Sequence, residues 1–315
     1  MPATPPGRPP TGHTRLGIGS VNPTVFDQLT GHHHDVWLQF AMLGGSWVRW
    51  NGIARDIQHA AQQDRIALIT LSATRESDRA QLSPQSLASG IADDVLLSYS
   101  QQANASGQVV WFRPMQEMNA SFMSYCAFNA NGTRRRAANS AWNYRRAYRR
   151  IAIILRGGTS VQINARLAAA ALRPLQAPLA DPGIPPSGRV AMVWNPQGAG
   201  SPNVRGNQPR NYYPGSRYVD YVADDLYEQS GRAYWRGMQP LYNYGKPFIL
   251  GEWAPWGNDD PRFVSQVLGW VRTHPRTAAL VYYQFSSPNF QLQAKPRSLR
   301  AYRSLARRAV FQTTL

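Results

Sequence analysis

The stretch VVWFRPMQEMN, at positions 109–119, has the pattern of a buried strand of branched and aromatic residues that leads to Glu117. The stretch KPFILGEWAPWG, at positions 246–257, repeats this design and leads to Glu252. A carboxylate at the end of a buried strand costs desolvation free energy unless it is paired or hydrogen-bonded. The ends of these two strands are therefore candidate functional positions.

Short apolar runs alternate with longer helical patterns about eight times along the chain. Strands are predicted at positions 15–21, 36–42, 65–72, 109–114, 190–194, 218–225, 248–252 and 279–285, with SWVRW (46–50) as a competing choice for the second strand. Helices are predicted at positions 52–63, 83–103, 139–155, 260–273 and 298–309, and from position 163 onward. This alternation favours an α/β fold in which parallel strands form a (β/α)8 TIM barrel. A doubly wound open sheet is the alternative, but GSVNPT after the first strand is not a glycine-rich phosphate-binding loop.

The beginning of the chain differs from the rest in composition. Positions 1–14, MPATPPGRPPTGHT, are rich in proline and glycine and are predicted to form a disordered tail. Positions 15–315 are predicted to form a single catalytic domain. The opening segment lacks the apolar core of a signal peptide. No run of about twenty apolar residues predicts a membrane span.

The chain of 315 residues has a formal net charge of +17, and nearly all of its positive charge is arginine, since Lys246 and Lys295 are the only lysines. A basic surface attracts polyanions without specificity. No zinc finger, RNA-recognition signature or basic zipper accompanies the charge. We therefore expect non-specific polyanion contact and no specific nucleic acid partner. Because Cys126 is the only cysteine, no disulfide can form within the chain.

Glutamate is scarce, since the chain contains only Glu76, Glu117, Glu228 and Glu252. The carboxyl ends of all strands in a parallel barrel open on one face, which holds the active site. Predicted strands four and seven lie across that face from one another, so Glu117 and Glu252 could flank one sugar ring. Such paired carboxylates perform glycosidic hydrolysis, one as an acid and the other as an ionised nucleophile or base. The alternative is that each glutamate pairs with an arginine such as Arg113 and only stabilises the rim.

Aromatic side chains occur at the same predicted strand ends. Trp194 closes strand five, Tyr227 closes strand six, and Trp253 and Trp256 follow Glu252. Indole and phenol rings stack on the apolar faces of sugars. Packing at the rim is the alternative for any one of them, but together they favour a sugar-binding cleft.

Four motifs stand in the same order as those of glycoside hydrolase family 26, the endo-β-mannanase family: RPMQEMN (113–119), VAMVWNPQ (190–197), YYPGSRYVDYVADDLY (212–227) and KPFILGEWAPWG (246–257). Through them the chain resembles that family over positions 15–285. The resemblance implies a retaining clan A glycosidase with a (β/α)8 barrel, in which the two catalytic carboxyl groups lie about 5–5.5 Å apart.

The resemblance also implies roles for individual residues. Glu117 matches the general acid/base after strand four, and Glu252 matches the nucleophile after strand seven. Tyr227 matches the tyrosine that hydrogen-bonds the nucleophile, and Asp225 matches the acid two residues before it. Trp194 matches a substrate-facing tryptophan, and no cofactor is implied.

The sequence departs from the family pattern at two places. Gln116 stands where the family usually has a histidine; a glutamine can hydrogen-bond a sugar hydroxyl but carries no charge. After Asn119 the chain has ASFMSY in place of glycine and an aromatic pair, so Phe122 and Tyr125 are candidates for a shifted aromatic surface. The predicted substrate-binding residues are Arg113, Gln116, Asn119, Phe122, Trp194, Asp225, Tyr227, Trp253 and Trp256.

Two other groups of reactive side chains were candidates for chemistry. The run 32–35, HHHD, contains metal-ligand types, but neighbours on a strand point to opposite faces, so adjacent histidines rarely reach one ion. A polar loop is favoured there, and no metal site is predicted. Cys126 follows Glu117 closely without an evident base, so a buried or loop thiol is favoured over a nucleophile.

These observations predict an endo-acting, retaining glycoside hydrolase of a β-linked polysaccharide. β-1,4-Mannan is the favoured substrate, and xylan and mixed-linkage glucan are alternatives. The rival from another class is a non-catalytic carbohydrate-binding barrel, which the Gln116 departure motivates. A polyanion-binding envelope protein is the third hypothesis, based on charge. We expect a monomer, secreted or in the cell envelope, whose signal peptide has been removed.

Overall fold

A closed barrel organises the computed structural model, which describes residues 4–44, 52–75, 81–176, 185–285 and 287–312. Among these residues eight strands pair in parallel with their sequence neighbours, and the first pairs with the last. The strands are β1 (Arg15–Gly19), β2 (Val36–Gly44), β3 (Ile66–Arg75), β4 (Val110–Pro114), β5 (Val190–Trp194), β6 (Tyr221–Gln229), β7 (Phe248–Trp256) and β8 (Thr277–Tyr283). The predicted (β/α)8 TIM barrel is confirmed.

Helices follow the strands in sequence. In the described parts of the chain they are α1 (Pro23–Thr30), α2 (Gly52–Ala61), α3 (Pro84–Ala88), α4 (Asp93–Ala105), α5 (Ala141–Leu155), α6 (Ser160–Ala169), α7 (Pro209–Tyr212), α8 (Trp235–Tyr242), α9 (Pro261–Thr273) and α10 (Pro296–Ala306). The single helix predicted at 83–103 is divided into α3 and α4 near Gly90, whose φ of +102° is incompatible with a helix. Of the helices in the described ranges, none has the length and apolar content needed to cross a membrane.

Strands β6 and β7 extend farther toward the carboxyl face than the sequence predicts. The sequence pattern ends them at 225 and 252, whereas the structure continues them to Gln229 and Trp256. They pair with each other from Asp225 opposite Glu252 to Gln229 opposite Trp256. The pairing therefore holds Asp225 and Glu252 side by side where the extension begins.

The structure places residues 4–14 against the floor of the barrel instead of leaving them as a disordered tail. The Pro6 carbonyl accepts hydrogen bonds from the Trp111 indole (2.9 Å) and the Tyr221 hydroxyl (2.9 Å). The Arg15 Nε donates to the Gly7 carbonyl at 3.0 Å. Buried donors at the closed end of the barrel need acceptors, and this segment supplies them. Composition alone does not show that need.

Some predicted features lie outside the described residues. They are SWVRW (46–50), Glu76 and positions 177–184 of the proline-rich segment.

A buried ion pair joins α4 to α5. Arg150 and Asp93 are both fully buried. Arg150 Nε donates to Asp93 Oδ1 at 2.6 Å, and the other carboxylate oxygen accepts from the second guanidinium nitrogen and from the Gln176 amide. Both carboxylate oxygens of Asp93 thus accept hydrogen bonds from N–H donors, which is the condition under which a buried ion pair is tolerated.

Replacing Asp93 with asparagine should lower the free energy of unfolding by about 3 kcal/mol, because the Arg150 charge would remain buried without a carboxylate. Urea denaturation followed by circular dichroism measures this loss. The adjacent Asp94 is exposed, so Asp94→Asn is the matched control and should change stability by about 0.5 kcal/mol or less. Equal losses in the two variants would contradict the assigned role.

Candidate active site

The turn after β4 places Glu117 at the carboxyl face of the barrel. Met115 and Glu117 have φ values of +49° and +52°, a conformation that is uncommon for residues other than glycine. The Glu117 amide donates to the Asn195 carbonyl at 2.7 Å. This bond ties the turn to the end of β5, so the position of Glu117 is fixed by two strands.

Arg113, at the end of β4, organises the polar side chains of the mouth. It is fully buried. Its Nε donates to Thr70 Oγ1 at 2.8 Å. One terminal nitrogen donates to Glu252 Oε1 at 2.5 Å, and the other lies 3.3 Å from Asp225 Oδ1 and from Asn195 Oδ1. The predicted pairing of a glutamate with Arg113 therefore occurs at Glu252.

Tyr227 completes the surroundings of Glu252. Its hydroxyl donates to Glu252 Oε2 at 2.6 Å, so each oxygen of that carboxylate receives a hydrogen bond. Burial and the Glu252 charge raise the pKa of Tyr227 well above its usual value, which keeps the hydroxyl protonated as a donor. For Arg113, burial opposes the charge, but the Glu252 and Asp225 carboxylates outweigh burial and raise its pKa.

Glu117 has a contrasting environment. Burial and the nearby Glu252 charge raise its pKa to about 7. Gln197 Nε2 donates to Glu117 Oε1 at 3.0 Å, and this bond and the Arg113 charge offset the rise only in part. Two carboxyl groups in opposed environments are the arrangement that separates an acid from a nucleophile. The site can therefore hold a protonated acid beside a carboxylate fixed by Arg113 and Tyr227.

Asn119 positions the loop that carries Gln197. Its side-chain oxygen accepts from the Gln197 backbone amide at 2.8 Å, and its Nδ2 donates to the Gln197 backbone carbonyl at 2.9 Å. Asn119 is fully buried. The prediction that it contacts substrate is wrong, because both ends of its amide are used to hold this loop.

The backbone of Gly251, in β7, lies against the polar side chains of the site. A Cβ at this position would lie 2.3 Å from Asn195 Oδ1, 2.8 Å from Asp225 Oδ1 and 2.9 Å from an Arg113 nitrogen. Only glycine leaves space there for the polar network.

The predicted substrate contacts of Trp194 and Trp253 are wrong. Both side chains are fully buried and face away from the barrel interior, toward the surrounding helices. Trp194 packs on Tyr213 and Tyr244, and Trp253 stacks on Tyr302. Side chains alternate between the faces of a strand. Val193 faces the barrel interior, so Trp194 faces outward.

The other predicted substrate-binding residues have different positions. Trp256 is 39% exposed and packs on Tyr227, with ring centroids 5.4 Å apart, so it borders the site. Phe122 is 66% exposed. Gln116 is buried, and its backbone carbonyl accepts a hydrogen bond from the Tyr125 hydroxyl at 2.6 Å. Arg113 and Asp225 act on other protein groups, since their side chains are sealed from solvent. Substrate contact by Trp256, Phe122, Gln116 and Tyr227 stays a prediction.

A cleft of about 1330 Å³ opens beside Glu117. Its lining includes Glu117, Gln197 and Tyr227, and it continues along the loop after β6 to the start of α8 and α9. This volume suits an extended ligand of several rings.

The histidine run lies at the amino end of β2, away from this face. Both ring nitrogens of the buried His34 have protein partners, Asp27 Oδ1 at 2.7 Å and the Tyr302 hydroxyl at 2.8 Å. In the described ranges, no group of three or more His, Cys, Asp or Glu residues could hold a metal ion. Cys126 is buried, in contact with Asn207.

Sequence patterns missed three polar residues of the site: Thr70, Asn195 and Gln197. A signal for two of them was present, because Asn195 and Gln197 directly follow the buried strand VAMVW. Polar residues at the carboxyl end of a barrel strand are expected at the active face.

The sequence of the chain is similar to that of a known glycosidase. No protein-family model matches the chain. The chain is similar to Endoglucanase H of Acetivibrio thermocellus, with 24% identity over 231 residues, which cover 68% of this chain. The match spans only 22% of that relative's length.

Solved structures resemble the whole chain. The mannanase BCman of Bacillus subtilis superposes with a TM-score of 0.63 at 14% identity, over 97% of this chain and 88% of that one. A modular endo-β-1,4-mannanase of Cellulomonas fimi, described with the family 26 mannanases, superposes with a TM-score of 0.60 at 15% identity, over 96% and 72%. These likenesses confirm, at the level of fold, the resemblance that the sequence motifs indicate: this chain shares its (β/α)8 barrel fold with glycoside hydrolase family 26 mannanases.

Proposed function

We propose that this chain is a retaining endo-glycoside hydrolase that cleaves a β-linked polysaccharide. The likeness to mannanases and to an endoglucanase supports a glycoside hydrolase that acts on a β-glycan. The observation that carries the finer proposal is the contrast between the two carboxyl groups. Glu252 receives hydrogen bonds from Arg113 and Tyr227, whereas burial and the Glu252 charge raise the pKa of Glu117 to about 7.

In the proposed mechanism, Glu252 attacks the anomeric carbon while Glu117 protonates the leaving oxygen. The glycosidic bond breaks as an ester between the sugar and Glu252 forms. Glu117, now ionised, takes a proton from water, and the resulting attack releases the sugar and restores Glu252. Arg113 and Tyr227 orient the nucleophile. The reaction needs no cofactor.

β-1,4-Mannan is the first substrate to test, because the similar solved structures are mannanases. The endoglucanase relative keeps mixed-linkage glucan as a second candidate. We also propose secretion or attachment to the cell envelope, where such polymers are found. The monomeric state and non-specific polyanion contact stay predictions.

Glu117→Gln and Glu252→Gln should each reduce kcat on polysaccharide by at least about 100-fold, because the first removes a catalytic proton transfer and the second removes the nucleophile. With an aryl glycoside of an acidic phenol, Glu117→Gln should slow bond cleavage much less, because that leaving group needs no proton. Reducing-sugar release and phenol release measure the two rates.

The exposed, remote Asp94→Asn variant is the control and should keep full activity. Proton NMR of the first product should show retention of the anomeric configuration. Full activity in either glutamine variant, or an inverted product, would contradict the mechanism. Oligosaccharide binding without turnover by the wild type would favour the non-catalytic barrel.

The rate should fall as the pH rises through about 7, because Glu117 then loses the proton that it must donate. The pH dependence of kcat/KM measures this alkaline limb. In Glu252→Gln the pKa of Glu117 should be lower than in the wild type, since a charge that raises it is absent, and infrared or NMR titration of the carboxyl group measures that shift. An unchanged pKa would show that the two groups do not interact.

Gly251→Ala should lower both activity and stability, because the new methyl group would collide with Asn195 and displace the Arg113 network. Overpacking of this kind costs about 1–3 kcal/mol. Gly269→Ala, in α9, is the matched control, since no atom lies within 4 Å of a Cβ there. It should be neutral or stabilising, and an equal loss in the two variants would argue against the crowding at Gly251.

A further inference from the structure

The cleft beside Glu117 has a cationic border, here called the arginine rim and formed by Arg232, Arg236 and Arg262. Arg232 lies in the loop after β6, Arg236 in the first turn of α8, and Arg262 in the first turn of α9. All three are exposed to solvent. They line the same cavity as Glu117, so a ligand that fills the cleft meets both.

The guanidinium groups of the arginine rim lack protein partners. Within the described part of the chain, none of the three guanidinium groups donates a hydrogen bond or forms an ion pair. Elsewhere on the surface, by contrast, Arg156 pairs with Asp220 and Arg297 with Asp259. Three cations beside one cleft are therefore available to a ligand.

The acidic residues of the cleft are engaged with other groups. The Asp260 carboxylate accepts from the Arg262 and Phe263 backbone amides at 2.9 and 3.1 Å, as the cap of α9. The buried Glu228 accepts from the Gly231 amide and from the Asn258 side chain. Both carboxylates thus accept hydrogen bonds from N–H groups, and within the described residues neither forms an ion pair with an arginine of the rim.

We propose that the substrate is an anionic β-glycan, whose carboxylate or sulfate substituents bind the arginine rim. This inference rests on the proposed hydrolase function. A planar guanidinium pairs with such groups through two parallel hydrogen bonds. Tyr234, 55% exposed between Arg232 and Arg236 in sequence, adds an aromatic face for a sugar ring at the same border. The net charge of +17 favours the approach of a polyanion to the protein.

The test compares matched oligosaccharides of one β-linked backbone that are neutral, uronate-substituted or sulfated. The wild type should show a kcat/KM about tenfold higher on an anionic member than on the neutral one, a size that three exposed charge pairs can supply. The preference should shrink as salt rises. The two anionic arms separate carboxylate from sulfate recognition.

The variant Arg232→Gln/Arg236→Gln/Arg262→Gln should lose this preference and keep its rate on the neutral oligosaccharide. The control Arg272→Gln/Arg300→Gln/Arg307→Gln removes the same charge from three exposed arginines that do not line the cleft. It should keep the preference. Equal rates on neutral and anionic substrates, or equal losses in the two triple variants, would overturn the proposal.

Failure of the proposed function has a different signature. If the wild type cleaves none of the glycans, calorimetric titration with the same uronate-substituted oligosaccharide decides between the two proposals. Binding that is lost in the cleft variant and kept in the control variant supports the arginine rim without hydrolysis. Binding that is equal in both variants, or absent in the wild type, overturns it.

Discussion

One buried guanidinium determines the arrangement of the barrel mouth. Arg113 extends from β4 and reaches Thr70 on β3, Asp225 on β6 and Glu252 on β7. A buried charge without partners would cost several kcal/mol, so closure of the barrel and assembly of these acceptors are energetically linked. The glycine at 251 is part of the same constraint, because a side chain there would separate the acceptors from Arg113.

The same guanidinium makes the two glutamates unequal. It bonds directly to Glu252, whereas the hydrogen-bond partner of the Glu117 carboxyl group is the neutral amide of Gln197. Burial then raises the pKa of Glu117, and the charge fixed on Glu252 raises it further. The acid and the nucleophile of the proposed reaction thus depend on one another, because the anion that Arg113 and Tyr227 hold in place also favours the proton on Glu117.

The sequence predicted the features that depend on local pattern. The barrel and the location of both glutamates followed from apolar runs that end in a polar residue. The predictions for Trp194 and Trp253 failed because the side of the wall on which a residue lies depends on pairing register, and β7 is irregular between Leu250 and Trp253. The Pro6 carbonyl accepts from donors 105 and 215 positions away, which no local pattern contains. Helices α1 and α8 have only eight residues each, and Pro240 lies within α8, so the sequence offers only a short or interrupted helical pattern there.

The Glu252 carboxylate and the arginine rim have charges of opposite sign, and this limits how an anionic glycan could bind. A carboxylate on the sugar being cleaved would lie beside Glu252 and would be repelled at close range in a site sheltered from water. The same substituent on another sugar of the chain would lie at Arg232, Arg236 or Arg262, where no described carboxylate pairs with the cations. A substrate that satisfies both conditions has a neutral sugar at the scissile bond and charged sugars spaced along the chain. This separation of charge thus favours an endo-acting enzyme on a regularly substituted polymer over one that removes terminal acidic sugars.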